Sequence, residues 1–566
     1  MPLNILNTIG EWNPQIFREF KGRWKSRNVI VTLGISAATQ LITLLFFWSQ
    51  IPLVKQYTSR YCLHPDDFDN KCLQDARGYV LTASINHELL WLDCFVTIAI
   101  GIIGILWILG TYFLIEDISK ESNRGTLEFI RLSPQSAGKI IGGKLAGVPS
   151  LLFLAVLAAL PFHLWTGLAA RIPLHLILSF YLLVALSCLF IYSAALLVGF
   201  VSSGWGGMQT WLGSGLLAIV FGGFTLFSLG LNNSSNVVIH NALDWFTILL
   251  PQRVLPFLVS QTPHSLGTIG YLNINDLTLK WFGFSLGQSY SMTYAFISVN
   301  YLLGTYWLWQ TLIRRFHQPN ATLLSKAKSY WFSGGLSIVL LGFTTQQPPW
   351  GTMNDHLPRN VGVFCFLIAL FSCLLMAVLT PHRQTLQDWM RYRHQQPKEK
   401  RALLRDLVWG EKSPAPVAIA LNLLIIFSIL HLGLIPFFPY LTLRFLEASL
   451  ITTTVILIYA SVIQWILLMK SPRRVAWALG TLCGMVFTPM LLSLLFALHY
   501  PNEGLLLWSI ISPTIVSERT LASTYLWLNV IGQILVIVVA NVEMSRQLRK
   551  LGASQTQMLL TAKSAT

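Results

Sequence analysis

From residue 91 to residue 115 the chain carries one charged side chain, Asp93, and is otherwise almost wholly apolar. A helix needs about 20 such residues to cross the hydrocarbon core of a bilayer, because each residue adds only about 1.5 Å. Eleven further runs of this kind lie at 29–50, 145–167, 174–200, 209–231, 292–312, 330–345, 360–380, 416–438, 446–469, 475–498 and 522–541. The seventh, 330–345, is the shortest. Charged residues are 11% of the 566 and apolar ones 54%, against roughly 25% charged in a soluble domain. So few charges cannot cover a water-facing surface. The expected fold class is an all-α integral membrane protein with about twelve transmembrane helices.

Lys and Arg number 39 against 23 Asp and Glu, a net charge of +16. That excess is not spread evenly. With twelve spans both termini share one side, and the segments on that side hold 29 of the 39 basic residues, while the acids divide 11 to 12. Sorting of Lys and Arg alone is the positive-inside pattern, so both termini are expected in the cytoplasm, in a plasma or inner membrane. The positive charge is thereby explained by topology, and no nucleic-acid partner is needed. The first 28 residues lack the apolar core of a cleavable signal. Five cysteines (Cys94, Cys188, Cys365, Cys373, Cys483) fall in spans, where the thiol is usually a small hydrophobe. Cys62 and Cys72 share the first outer loop, where an oxidising compartment would allow a disulfide.

The hydrophobic pattern divides near residue 320 into two six-helix halves, 29–320 and 321–566. Each has its longest cytoplasmic loop between its second and third spans, at 116–144 and 381–415. Each has an outer apolar segment before its last span, at 245–260 and 505–516, too short or too Pro-broken to cross. No residue-by-residue repeat joins the halves. Residues 1–28 form a separate element. Asn13-Pro14 starts a helix well, with Asn as cap and Pro at the first position. Trp12, Ile16, Phe20 and Trp24 then recur four apart, and Arg18, Lys21 and Lys25 lie opposite. An amphipathic helix on the inner membrane surface is expected, as an anchor or as a seat for a partner.

The loop 116–144 is the most informative segment. Glu116 and Asp117 close the second span, and Gly125 permits a sharp break after Glu121 and Arg124. A short helix through Thr126 and Glu128 can then run until Pro134 prevents continuation. Residues Arg124-Gly125-Thr126-Leu127-Glu128, Leu132-Ser133-Pro134 and Gly143-Lys144-Leu145 resemble the permease (transmembrane) subunits of type-2 ATP-binding-cassette exporters. The resemblance covers the first six spans. It implies that the short helix docks on a separate nucleotide-binding ATPase subunit, with ATP and magnesium bound there, and that the amphipathic helix before span one lies beside it. It assigns Glu121, Arg124 and Glu128 as polar contacts with that partner and Gly125 and Pro134 as shaping residues. The implied cargo is lipid-like, glycan or hydrophobic. The second half keeps the plan but lacks the Gly-Thr-Leu-Glu signature. In its loop 381–415, Leu386, Trp389 and Met390 and then Leu403, Leu404, Leu407 and Val408 make apolar faces among basic residues, as expected of helices on an anionic leaflet or, as the alternative, of a protein-docking site.

Absences narrow the mechanism. No G-x-x-x-x-G-K-[ST] occurs, and Gly142-Gly143-Lys144 runs into Leu145 without a hydroxyl for magnesium, so the chain is not expected to bind nucleotide or to be an enzyme. Ionisable groups near the midplane, which ion-coupled carriers require, are almost lacking. Asp93 and Glu447 sit at span ends, and His163, His175 and His431 stand alone. The main alternative is a membrane-embedded transferase or hydrolase acting on lipid or glycan precursors through the outer loop at His64, Asp66, Asp67 and Asp69. That loop lacks metal-ligand spacing. A non-transporting scaffold is a third reading.

Overall fold

The computed structural model of the chain describes residues 10–51, 60–62, 80, 85–202, 207–228, 238–263, 278–347, 353–395, 400–439, 442–496, 506–518 and 523–552. The chain divides into two compact units. One is built from Met1–Ile239, Phe246–Leu279 and Ser285–His317, the other from His240–Trp245, Lys280–Phe284 and Gln318–Thr566. Two short stretches that precede residue 318 therefore fold with the second unit.

In chain order the elements are α1 (Pro14–Arg23), α2 (Ser26–Trp48), α3 (His87–Asn123), α4 (Thr126–Arg131), α5 (Ala137–Gly147), α6 (Ser150–Ala169), α7 (Leu174–Ser202) and α8 (Met208–Ser228). A broken segment follows, with α9 (Asp244–Ile248), a 3-10 turn at Pro251–Val254 and α10 (Leu255–Val259). A small hairpin pairs β1 (Lys280–Trp281) with β2 (Phe284–Ser285). Then come α11 (Tyr290–His317), α12 (Lys326–Thr344), α13 (Met353–Leu379), α14 (Arg383–Gln395), α15 (Lys400–Trp409) and α16 (Pro416–Leu434). The last four are α17 (Thr442–Leu467), α18 (Arg474–Phe496), α19 (Ser512–Glu518) and α20 (Ser523–Gly552).

Among the described residues ten helices are long and apolar enough to cross a membrane: α2, α3, α6, α7, α8, α13, α16, α17, α18 and α20. The all-α membrane character of the chain rests on these. The other two expected spans are unbroken helices, α11 of 28 residues and α12 of 19, but more polar ones. The third expected span also differs in detail. Val148 and Pro149 separate α5 from α6, so the polar approach and the crossing are two helices.

The same packing order appears inside each unit. In the first, α2 lies on α6, α3 on α7 and α7 on α11, with the Pro251–Val254 turn against α3 and α7. In the second, α12 lies on α16, α13 on α17 and α17 on α20, with α19 against α13 and α17. They diverge at the fifth long helix, since α8 packs on α3 whereas α18 packs on α17. Helices in lipid gain little from the hydrophobic effect and associate through close packing and hydrogen bonds instead. Both devices are present. Ser333 Oγ donates to Asn422 Oδ1 at 2.7 Å and Asn422 Nδ2 to Ser329 Oγ at 3.0 Å, joining α12 to α16. Asn541 Nδ2 donates to Ser461 Oγ at 2.9 Å, joining α20 to α17.

Gly110 shows the other device. It is where the Tyr192 ring of α7 meets α3, and a Cβ there would fall on the ring. Tyr192 Oη then reaches the Leu106 carbonyl at 2.9 Å. Gly110→Ala is expected to destabilise by about 1–3 kcal/mol through overpacking. Gly215→Ala on α8, which has open space around it, is expected to cost nothing. Thermal midpoints in detergent measure both, and equal midpoints would remove the close-approach argument.

Candidate functional site

The segment from α3 to α5, with α1 laid across it, brings the sequence motifs together. α1 begins as the sequence predicts: Asn13 accepts hydrogen bonds from the Gln15 and Ile16 amides, and Pro14 is the first helical residue. Its face toward the rest of the protein lies beside the expected apolar stripe and shares Ile16 with it. Gln15, Ile16 and Glu19 are buried, while Trp12 is exposed. The reason lies on α5. Gly143 and Gly147 are four residues apart, and Gln15 and Glu19, also four apart, lie where Cβ atoms on those glycines would be. Two glycines in helical register let α1 sit directly on the α5 backbone, and Asn13 Nδ2 adds a bond to the Lys139 carbonyl at 2.9 Å.

Lys144 lies between these glycines and is 1% exposed. Its Nζ is 2.6 Å from Asp117 Oδ2, 2.7 Å from Glu121 Oε2 and 3.8 Å from Glu19 Oε1. Arg23 pairs with Asp117 at 2.7 Å and with Glu19 at 3.3 Å. Arg18 pairs with Glu121 and, at 3.3 Å, with Glu19. Partial burial works to lower the Arg18 pKa, but Glu121 and then Glu19 outweigh it and hold the guanidinium above its ordinary value. Three carboxylates therefore meet three cations, and the network is neutral as a whole. It joins α1, the end of α3 and α5. Glu19, Asp117 and Glu121 bring ligand atoms within 4.8 Å of one another, yet the Lys144 ammonium already stands among them. The charge of a bound metal is supplied by a side chain.

Glu121, expected to contact a partner, and Asp117, expected at the end of the second span, are thus engaged inside the protein. Glu116 pairs with Lys120 at 2.8 Å. Of the basic residues expected opposite the apolar stripe, Arg18 joins the network, while Lys21 and, just past α1, Lys25 are exposed, with Lys21 over the Phe17 ring at 5.9 Å.

Past this base, Gly125 adopts a left-handed conformation with φ 71° and turns the chain sharply into α4. L side chains rarely adopt that region, which suits Gly. Thr126 Oγ1 donates to the Glu121 carbonyl at 3.1 Å and ties the new helix to α3. Leu127 and Ile130, three apart, bury one face of α4. Arg131 lies over the Phe316 ring at 5.8 Å and pairs with Glu128 at 2.5 Å. Opposite them stand Phe129 and Leu132, 79% and 85% exposed, with Arg124, Thr126, Glu128 and Pro134 also exposed. Ser136 caps the next helix.

Lys144, Glu19, Phe129 and Leu132 escaped the sequence reading as site residues. The signals were a lone lysine in an apolar stretch, an i,i+4 Glu19–Arg23 pair, and two apolar pairs, Leu127 with Ile130 and Phe129 with Leu132, that cannot share one face of a short helix.

Elsewhere two of the ionisable groups in spans, His163 and Asp93, have local partners. His163 is buried, 2.7 Å from Tyr181 Oη and 3.2 Å from the Phe95 carbonyl, and stacks on the Phe95 ring. Asp93 accepts from Tyr61 Oη at 2.8 Å and pairs with Arg60 at 2.9 Å. Cys62 is disulfide-bonded, and the five cysteines placed in spans are free thiols. Cys72 and the acidic loop at His64, Asp66, Asp67 and Asp69 lie outside the described residues.

The second unit treats its loop differently. Leu386 and Met390 on α14 pack with Leu468, Met544 and Leu548, and Trp389 is buried as well, so this apolar face meets protein instead of a leaflet. α15 is pinned by Lys326, whose Nζ donates to the Leu407 carbonyl at 2.8 Å, Ser413 Oγ at 2.6 Å and the Pro414 carbonyl at 3.1 Å. Burial lowers the Lys326 ammonium from 10.5 to about 8, with Asp406 opposing.

No protein-family model matches the chain, and neither curated proteins nor solved structures yield a match.

Two expectations follow. Lys144→Met leaves Asp117 and Glu121 short of a counter-charge and should cost about 3–5 kcal/mol; Lys144→Met with Glu121→Gln should recover part of that, and a wild-type thermal midpoint for Lys144→Met would discount the network. The folded chain releases the Lys326 proton near pH 8 and the unfolded chain near 10.5. Unfolded protein binds more protons in that window, so stability should rise with pH across it. An equal slope in Lys326→Met would exclude this origin.

Proposed function

We propose that this chain is the transmembrane subunit of an ATP-driven exporter of the type-2 ATP-binding-cassette class, moving a lipid-like, glycan or otherwise hydrophobic substrate. In this reading all twelve long helices cross the membrane, both termini and α4 are cytoplasmic, and a separate P-loop ATPase subunit holds ATP and magnesium. The observation that carries it is the tip of α4: two large apolar side chains, Phe129 and Leu132, stand in the open on a two-turn helix. Exposed anchors of this kind, rimmed by polar groups such as Arg124 and Glu128, are what a protein partner's pocket buries.

The base makes that tip useful. A force on α4 passes through Leu127, Ile130 and the Thr126–Glu121 bond to the end of α3. Asp117, Glu121 and Lys144 then carry it to α5 and α1, because separating any of these helices would strand a charge. Asp117 and Glu121 accordingly transmit, while Arg124 and Glu128 touch the partner. Gly125 is the pivot, and a β-branched residue at its positive φ would strain it.

The test is purification of the tagged chain in mild detergent and mass spectrometry of what accompanies it. A stoichiometric P-loop ATPase is expected. Phe129→Asp and Leu132→Asp should each weaken it by about 30-fold or more, as loss of an interface anchor costs about 2 kcal/mol. Gly125→Val should retain the subunit yet lose transport-coupled hydrolysis. A partner-free chain from several detergents would overturn the proposal.

A further inference from the structure

The second unit has its own exposed short helix, and its surroundings differ from those of α4. α15 ends at Trp409, and the spanning helix α16 begins at Pro416. Between them, Ser413 and the Pro414 carbonyl are held by Lys326 at the base of α12. α15 is therefore fixed at the level where a spanning helix enters the bilayer. Trp409 meets the Tyr330 ring edge-on at 5.6 Å and is 57% exposed. Trp331, which follows Tyr330 in the chain, is 80% exposed. Exposed Trp and Tyr gathered at a helix end mark the headgroup level of a membrane.

On α15 itself Leu404 is 64% exposed, and Arg405 and, just beyond the helix, Lys412 are also exposed. The loop 381–415 holds eight basic residues to four acidic ones. Not all of them are available: Arg393 is committed to Asp406 at 3.0 Å and to the Trp389 ring at 5.7 Å. The apolar face of α14 is spent on Leu468, Met544 and Leu548, so membrane contact falls to α15.

We infer that α15 is a lipid-binding element that seats Leu404 and Trp409 in the interface and pairs Arg405 and Lys412 with the headgroups of an anionic phospholipid. An aliphatic and an aromatic side chain beside two cations is the composition of an interfacial helix. Each Lys or Arg near an anionic surface is worth about fivefold in association. Lipid is favoured over protein because α15 continues the aromatic belt of a membrane-embedded helix, whereas α4 presents its apolar pair beside Glu128. The inference does not require the exporter reading.

The test places a nitroxide at Leu404→Cys, in a Cys483→Ser background, in the full chain reconstituted into vesicles. Accessibility to oxygen and to a water-soluble nickel chelate reports the depth of the label. With phosphatidylglycerol present the label is expected to be oxygen-accessible and shielded from nickel, and in pure phosphatidylcholine to move toward water. Arg405→Gln and Lys412→Gln should each raise the phosphatidylglycerol content needed for half the effect by about fivefold. Arg405→Lys with Lys412→Arg should not, which separates charge from misfolding. A label at Phe129→Cys is expected to stay in water in every vesicle. A Leu404 label in water in both lipids would overturn the inference and leave α15 free for a protein. A label equally buried in both would overturn the anionic preference. Neither result bears on whether an ATPase co-purifies.

Discussion

An ammonium group in a protein interior is tolerated only where opposite charge or hydrogen-bond acceptors surround it. Lys144 meets that condition through Asp117 and Glu121, with Glu19 further off, and these carboxylates are in turn balanced by Arg18 and Arg23. The arrangement leaves no freedom to its members. α1 cannot lift from α5, nor α3 part from either, without exposing a charge that has lost its partner. The position of α4, and with it Phe129 and Leu132, is inherited from that constraint. Neutral overall, the network adds specificity of place more than net binding energy.

Close approach is what allows the charges to meet. Without side chains at Gly143 and Gly147, Glu19 comes near enough to Lys144 for the network to close. Within the spans the same economy recurs at Gly110 against Tyr192, and short polar side chains such as Ser333 and Asn422 supply bonds that lipid cannot compete for. Lys326 gives the second unit a related but weaker device. Its three hydrogen-bond acceptors are two backbone carbonyls and a hydroxyl rather than carboxylates. Burial is then only partly offset, which is why that lysine's pKa falls.

Much of the helical layout was legible because its causes are local. Twenty apolar residues in a row, Asn-Pro before α1, and Gly125 and Pro134 around α4 act through their own backbone and through solvent. The partners of individual charges were not legible. Asp117 and Glu121 read as surface residues of a loop, yet they are answered by a lysine more than 20 positions away and by a helix that precedes the first span. The stripe at Ile16, Phe20 and Trp24 read as the membrane face of α1. Its contact with protein at Gln15 and Glu19 was not legible, because glycines on another helix make room for it. Leu386 and Met390 read as lipid-facing, and distant segments around Leu468 and Met544 cover them.

The sequence by itself determined that this chain is helical and lives in a membrane, since span length, apolar content and turn residues depend on nothing outside each segment. The tertiary structure alone decided which exposed-looking groups are spent internally and which remain at the surface. That choice depends on charge compensation and close packing between residues far apart in the chain. No local pattern records it, because the energy of a charge or a face is set by what folds against it.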